Sequence, residues 1–232
     1  MYKVKFFRGN LLVRMPLKRP ILDVQTFVPR FNELIYAALV PVFPVTPADF
    51  SINSGARLSD IWAKFNLYAG PNSVTLFTDR LAFEFVNLFL QDYPLIYDLL
   101  HRVHDEFPVH FESYDYERVE AQSFVHFELL PPAEATQYLK RFELQEHLGS
   151  FSTVGSFVEE PSARISVMAA DNSWRSRIVV ERSLGVANGV YLDVNTILNN
   201  GSKDVSFDEK LKLALGIGNA WLRTLSLQST DA

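Results

Sequence analysis

One order of elements recurs along the chain, and it limits the fold more than any single motif does. An alternating run, a helix opened by proline, three further alternating runs and a second helix follow one another. The same order starts again roughly a hundred residues later. In the first pass, Ile21 to Val28 reads as a strand through Ile21, Val24 and Phe27. After Pro29, the residues Phe31, Leu34, Ile35, Ala38 and Leu39 recur at helical spacing, and Pro41, Pro44 and Pro47 open a loop over 41–57. Strands are predicted over 58–68, 74–78 and 81–88. A helix then begins at Asp92 and Pro94, with Leu95, Ile96, Leu99, Leu100, Val103 and Phe107 on one stripe. In the second pass, Gln122 to Leu129 is the strand, and Pro131-Pro132 opens a helix with Ala135, Tyr138, Leu139 and Phe142 on one face. A loop covers 149–162, and strands run over 164–170, 174–181 and 190–197. The last helix opens with a capping box, Ser206 to Glu209. Val28-Pro29-Arg30-Phe31 aligns with Leu130-Pro131-Pro132-Ala133, and Val86-Asn87 with Val194-Asn195.

The fold class that follows is α+β. Two tandem β-α-β-β-β-α units, 20–117 and 118–232, form a curved antiparallel sheet with the helices on one face. This order resembles the saddle of the TATA-box-binding protein and, more loosely, the helix-grip folds. Ahead of the units, residues 1–19 read as a basic arm whose positions 2–15 form a hairpin turning at Arg8-Gly9-Asn10.

Charge sets the arm apart. The whole chain carries −5, while residues 1–20 hold Lys3, Lys5, Arg8, Arg14, Lys18 and Arg19 and no acid. The remainder therefore carries −11, from −5 minus +6. The densest acidic stretch, 105–120, contains Asp105, Glu106, Glu112, Asp115, Glu117 and Glu120 against Arg118 alone. Such an arm docks on an anionic partner, on this protein's own acidic flank or on that of a second copy. The chain has no cysteine, which excludes disulfides, thiolate metal sites and cysteine nucleophiles. Arginines interrupt the only N-terminal apolar run, so it does not read as a signal peptide. No window reaches the roughly 18 apolar residues of a membrane helix. The expected setting is cytoplasmic, with no membrane partner.

Several segments resemble a sporadically distributed bacterial family of conserved proteins without an assigned activity. They are Pro20 to Val24, Leu81 to Asn87 followed by Asp92-Tyr93-Pro94, Arg118-Val119 leading into Phe124 to Pro131, and Tyr191 to Val194 ahead of the final helix. The resemblance runs in order from 20 to 225. Members typically show Arg-Tyr-Ile-Asn where this chain has Val125-His126-Phe127-Glu128. It implies no activity, cofactor or site residue.

Tests for chemistry give little. His101 and His104 lie at i, i+3 beside Asp105, a spacing that begins a metal site, but here it flanks an apolar stripe and reads as a solvated helix face. His126 and Glu128 share one strand face near His110. That pair suits general acid–base work, but no nucleophile accompanies it. Ser150, Ser152, Ser156, Ser162 and Ser183 fall in loops without a nucleophile elbow. Gly216 and Gly218 sit inside the last helix, not after a strand, and read as close helix packing rather than a phosphate loop. No catalytic residue, metal or cofactor is assigned.

The uncovered sheet face is the surface to watch. Alternation places Trp62, Lys64, Asn66, Tyr68, Thr75, Phe77 and Glu84 on it in the first unit. In the second it places Arg164, Ser166, Met168, Arg175, Arg177, Tyr191, Asp193 and Asn195 there. A solvated face would pair Arg175 or Arg177 with Asp193 across strands, whereas a recognition face would leave them for a partner. Three functions follow. The first is a non-enzymatic binding or assembly protein, of an immunity-like or defence-associated kind, that recognises another protein or a second copy. The second is a nucleic-acid binder using the basic arm and the arginine side of the sheet, although net acidity opposes phosphate binding. The third is a small-molecule binder or enzyme with a sheet–helix pocket near His126 and Glu128.

Overall fold

The alternation at the N-terminus produces one strand, not two. In the computed structural model, which describes residues 1–55, 57–67, 71–142, 162–199 and 206–230, β1 runs unbroken over Tyr2–Pro16. Val4, Leu11, Val13 and Met15 are buried on one side of it. The hairpin and the free arm are therefore corrected. What read as a turn is a pair of bulges, between Phe6 and Arg8 against one neighbouring strand and between Gly9 and Leu11 against the other. A Cβ on Gly9 would lie 2.9 Å from the Tyr93 hydroxyl and 3.1 Å from the Phe124 carbonyl oxygen. Close approach, not chain reversal, is what the glycine permits.

The other strands are β2 (Phe50–Ser54), β3 (Ile61–Leu67), β4 (Asn72–Phe77), β5 (Arg80–Leu88), β6 (Arg118–Leu129), β7 (Ala163–Met168), β8 (Trp174–Arg182), β9 (Gly189–Asn199) and β10 (Leu227–Ser229). They form one open sheet in the order β2-β3-β4-β5-β1-β6-β9-β8-β7, antiparallel throughout. β10 adds to β1 in parallel, with Tyr2 opposite Leu227. β1 is thus the central strand, and β2 lies inside the region expected to be loop.

The helices are α1 (Val24–Leu39), α2 (Tyr93–His110), α3 (Ala135–Leu139) and α4 (Phe207–Thr224). The strand expected over 21–28 is the start of α1. Ile21, Val24 and Phe27 are spaced by three, which suits a helix better than a period of two. Asp23 caps the helix by accepting from the Thr26 amide and hydroxyl. Pro29 removes only one internal hydrogen bond, and α1 runs through it. The capping box at Ser206 forms as expected, with the Ser206 amide donating to Glu209 Oε2 at 2.8 Å and the Glu209 amide donating back to Ser206 Oγ at 3.2 Å.

One core joins Val13, Phe65, Phe83, Phe127, Ile178 and Leu192 of the sheet to Phe31, Leu100, Tyr138 and Trp221 of the helices. All four described helices pack on this side. Tyr138 donates to the Leu225 carbonyl, and Trp221 Nε1 donates to Ser176 Oγ at 2.9 Å, which locks α4 to β8. Among the described residues no helix is long and apolar enough to cross a membrane.

Candidate functional site

The pairing registers place the expected face residues together. Trp62 lies opposite Phe77, Lys64 opposite Thr75 and Asn66 opposite Ser73. Across the sheet, Arg164 lies opposite Val179, Ser166 opposite Arg177, Met168 opposite Arg175 and Arg177 opposite Asn195. Tyr68 lies outside the described residues. The basic residues assigned to the arm join the same face, because β1 lies at its centre. Lys5 is opposite Glu128, Arg8 opposite His126 and Arg14 opposite Glu120, with Lys3 in phase. Lys18 and Arg19, past the strand end, meet the acidic flank instead. Lys18 pairs with Asp115, and Arg19 donates to the Ser113 carbonyl and covers the Tyr114 ring.

The result is a cationic face on an acidic chain. By register it carries Lys3, Lys5, Arg8, Arg14, Lys64, Arg80, Arg118, Arg164, Arg175 and Arg177 against Glu84, Glu120, Glu128, Glu181 and Asp193. Among the described residues no helix covers it, and Arg164, Arg175 and Met168 are exposed. The solvated-face pairing is not formed, since Asp193 accepts from Gln122 Nε2 at 3.0 Å. Neither Arg175 nor Arg177 makes an ion pair with an acid among the described residues. Arg177 Nε and Asn195 Oδ1, facing one another in register, are both buried without a hydrogen-bond partner there. They line a groove with Ser166 and Arg175. Phe124 and Tyr191 stack at 6.4 Å at the middle of the face.

His126 belongs to this face but is not poised for acid–base work. The Ser183 hydroxyl accepts from the Gly185 and Val186 amides at 3.1 and 3.0 Å, so its own proton goes to His126 Nδ1 at 2.8 Å. Burial, with Arg8 adding to it, lowers the imidazole pKa and keeps the ring neutral. The pocket expected beside His126 and Glu128 is on the other side of the sheet, where Val125 and Phe127 point. That cleft lies between the sheet and the helices. Its floor is β1, β6 and β9, and its walls are α4 and the Tyr93–Tyr97 end of α2. Sequence reasoning placed a sheet–helix pocket at this stretch of β6 but on His126 and Glu128, because the residues that do line it read as ordinary core.

His101 and His104 are not on a solvated face. His104 stacks on Phe207 of α4 at 4.0 Å, and its Nε2 lies 3.0 Å from the Tyr116 hydroxyl. His101 lies 3.4 Å from Asp208. Among the described residues no cluster of three metal-ligating side chains exists. Desolvation holds the His104 pKa below its usual value, against the opposing pull of Asp105. A histidine that resists protonation in the fold stabilises it above about pH 6.5, the unfolded value, and less as pH falls through the folded one. Urea midpoints should therefore drop from pH 7.5 to 5.5, and by less in His104→Gln. Equal drops in both proteins would show that His104 is not the group responsible.

No protein-family model matches the chain, and no curated protein sequence does.

Proposed function

We propose that this is a non-enzymatic binding protein that holds a partner protein with an acidic surface on the open face of its sheet. The observation that carries the reading is the segregation of charge. Ten basic and five acidic side chains share one face of a chain whose net charge is −5. Nine strands side by side give a face about 40 Å across, ample for a stable protein interface. Arg175, exposed at the groove it lines with Arg177 and Asn195 and in no ion pair among the described residues, is available to a partner carboxylate. Interspersed acids such as Glu84, Glu120 and Asp193 fit a patterned protein surface better than a continuous phosphate backbone.

The strand order supports a tandem duplication with a revised boundary. It reads alike from the β1–β6 pair outwards, β5-β4-β3 on one side and β9-β8-β7 on the other. On this reading β1 and β6 are the equivalent first strands, and the first unit includes residues 1–19. The saddle likened to the TATA-box-binding protein is the shape such a pair of units would take.

Affinity capture from the cells that make the protein tests the reading. The intact chain should retain a defined partner that Arg175→Glu/Arg177→Glu releases, with a loss of more than tenfold in affinity. Lys212→Glu on the exposed side of α4 should leave it bound. A partner kept equally by both variants, or retention of nucleic acid alone in filter binding at low salt, would refute the proposal.

A further inference from the structure

The cleft under α4 is a cavity of about 180 Å³. Among the described residues no Asp, Glu, Lys, Arg or His lines it. Apart from two tyrosines and Trp221, whose indole N–H is committed to Ser176, its described polar lining is Ser123, Thr196 and Asn219. An apolar cavity of about 150 Å³ is enough for benzene, so this one has room for a single ring with a small substituent.

α4 holds the space open. Leu211, Leu215, Gly218 and Leu222 fall at i, i+4, i+7 and i+11 on one stripe, and all four line the cavity. The gap in the stripe is Gly218. A Cβ built there meets no atom within 4 Å. The close helix packing expected of this glycine is therefore absent, although glycine inside a helix is unfavourable relative to alanine. Across the gap stand Tyr93 and Tyr97, with ring centroids 6.2 Å apart. Among the described residues neither hydroxyl has a hydrogen-bond partner. Burial pushes the Tyr93 pKa up to about 12 and raises that of Tyr97, so both remain neutral donors.

We infer that the cleft between α4 and the Tyr93–Tyr97 end of α2 is a binding site for a small neutral aromatic molecule with one hydrogen-bonding group, of the size of a substituted phenol. The ring would sit on the floor formed by Leu11, Val125 and Leu192 beneath Gly218, with its polar group at the phenol hydroxyls. A carboxylate of the same size is disfavoured, because among the described residues no cationic side chain lines the cleft to offset the desolvation of its charge. The site is independent of the open sheet face, since β1, β6 and β9 present opposite sides to the two.

Saturation-transfer NMR with p-cresol and with benzoate tests this on the full chain. p-Cresol should bind saturably and benzoate should not. Gly218→Leu, whose side chain would fill the gap, should weaken p-cresol at least tenfold and raise the melting temperature by about 2–4 °C through helix propensity alone. Gly216→Leu, at an exposed helix position where a Cβ also meets nothing, should gain similar stability and keep the ligand. No p-cresol binding by the wild-type protein, equal binding of benzoate, or unchanged binding in Gly218→Leu would each overturn the assignment.

Discussion

A chain lacking residues 1–16 should fail to fold rather than lose a surface appendage. β1 is hydrogen-bonded on both edges, to β6 over Val4–Arg14 and to β5 over Gly9–Pro16, with β10 completing the second edge at Tyr2–Val4. Its removal would strip both neighbours of their ladders and expose the apolar floor that Val4, Leu11, Val13 and Met15 share with the helices. Four buried apolar side chains at about 1.5–3 kcal/mol each approach or exceed the whole stability of an ordinary domain, about 5–15 kcal/mol. Expression of residues 17–232 should give insoluble or molten protein by near-ultraviolet circular dichroism. A soluble, cooperatively melting product would mean that the strand is dispensable and would restore the arm. The point variant Val13→Asp should act in the same direction by placing a carboxylate in the core.

Trp221→Ala should be the most destabilising single truncation in α4. The side chain is 4% exposed, its indole donates to Ser176 Oγ, and that hydroxyl also lies 3.0 Å from Thr196 Oγ1 of β9. Loss of the ring costs about 3–5 kcal/mol and leaves two strands without their link to the helix. Trp221→Phe keeps most of the packing, and Ser176 keeps Thr196, so about 1 kcal/mol for the lost hydrogen bond should dominate. Urea denaturation of the two variants measures the difference. Equal losses would show that the indole hydrogen bond, absent from both variants, and not the bulk of the ring sets the cost.

Much of the architecture was legible where local rules act alone. The runs at β3, β5, β8 and β9 alternate over most of their length, and the Ser206–Glu209 box announces α4. The first 30 residues misled because their signals have two solutions. Arg8-Gly9-Asn10 serves a turn or a bulge, and only the ladders to β5 and β6, far away in sequence, decide between them. Ile21, Val24 and Phe27 fit a loosely alternating strand or a capped helix, and the Asp23 side chain decides. The open face could be written down from alternation because a period of two survives any sheet order. Its centre could not, because nothing local says that β1 pairs with β6. The lining of the cleft was invisible for a related reason. A missing side chain at Gly218 gains meaning only when the opposite wall is in place.

The central position of β1 also shapes how the chain must assemble. β1 is made first, yet its partners begin at Arg80, Arg118 and Leu227. At synthesis rates of about 5–20 residues per second, it waits several seconds with both edges bare. Such a strand invites intermolecular pairing, and long-range closure of this kind slows folding. Lys3, Lys5, Arg8 and Arg14 lie along one face of it. Before the sheet exists, these charges act as gatekeepers, making two nascent copies repel where they would otherwise zip together.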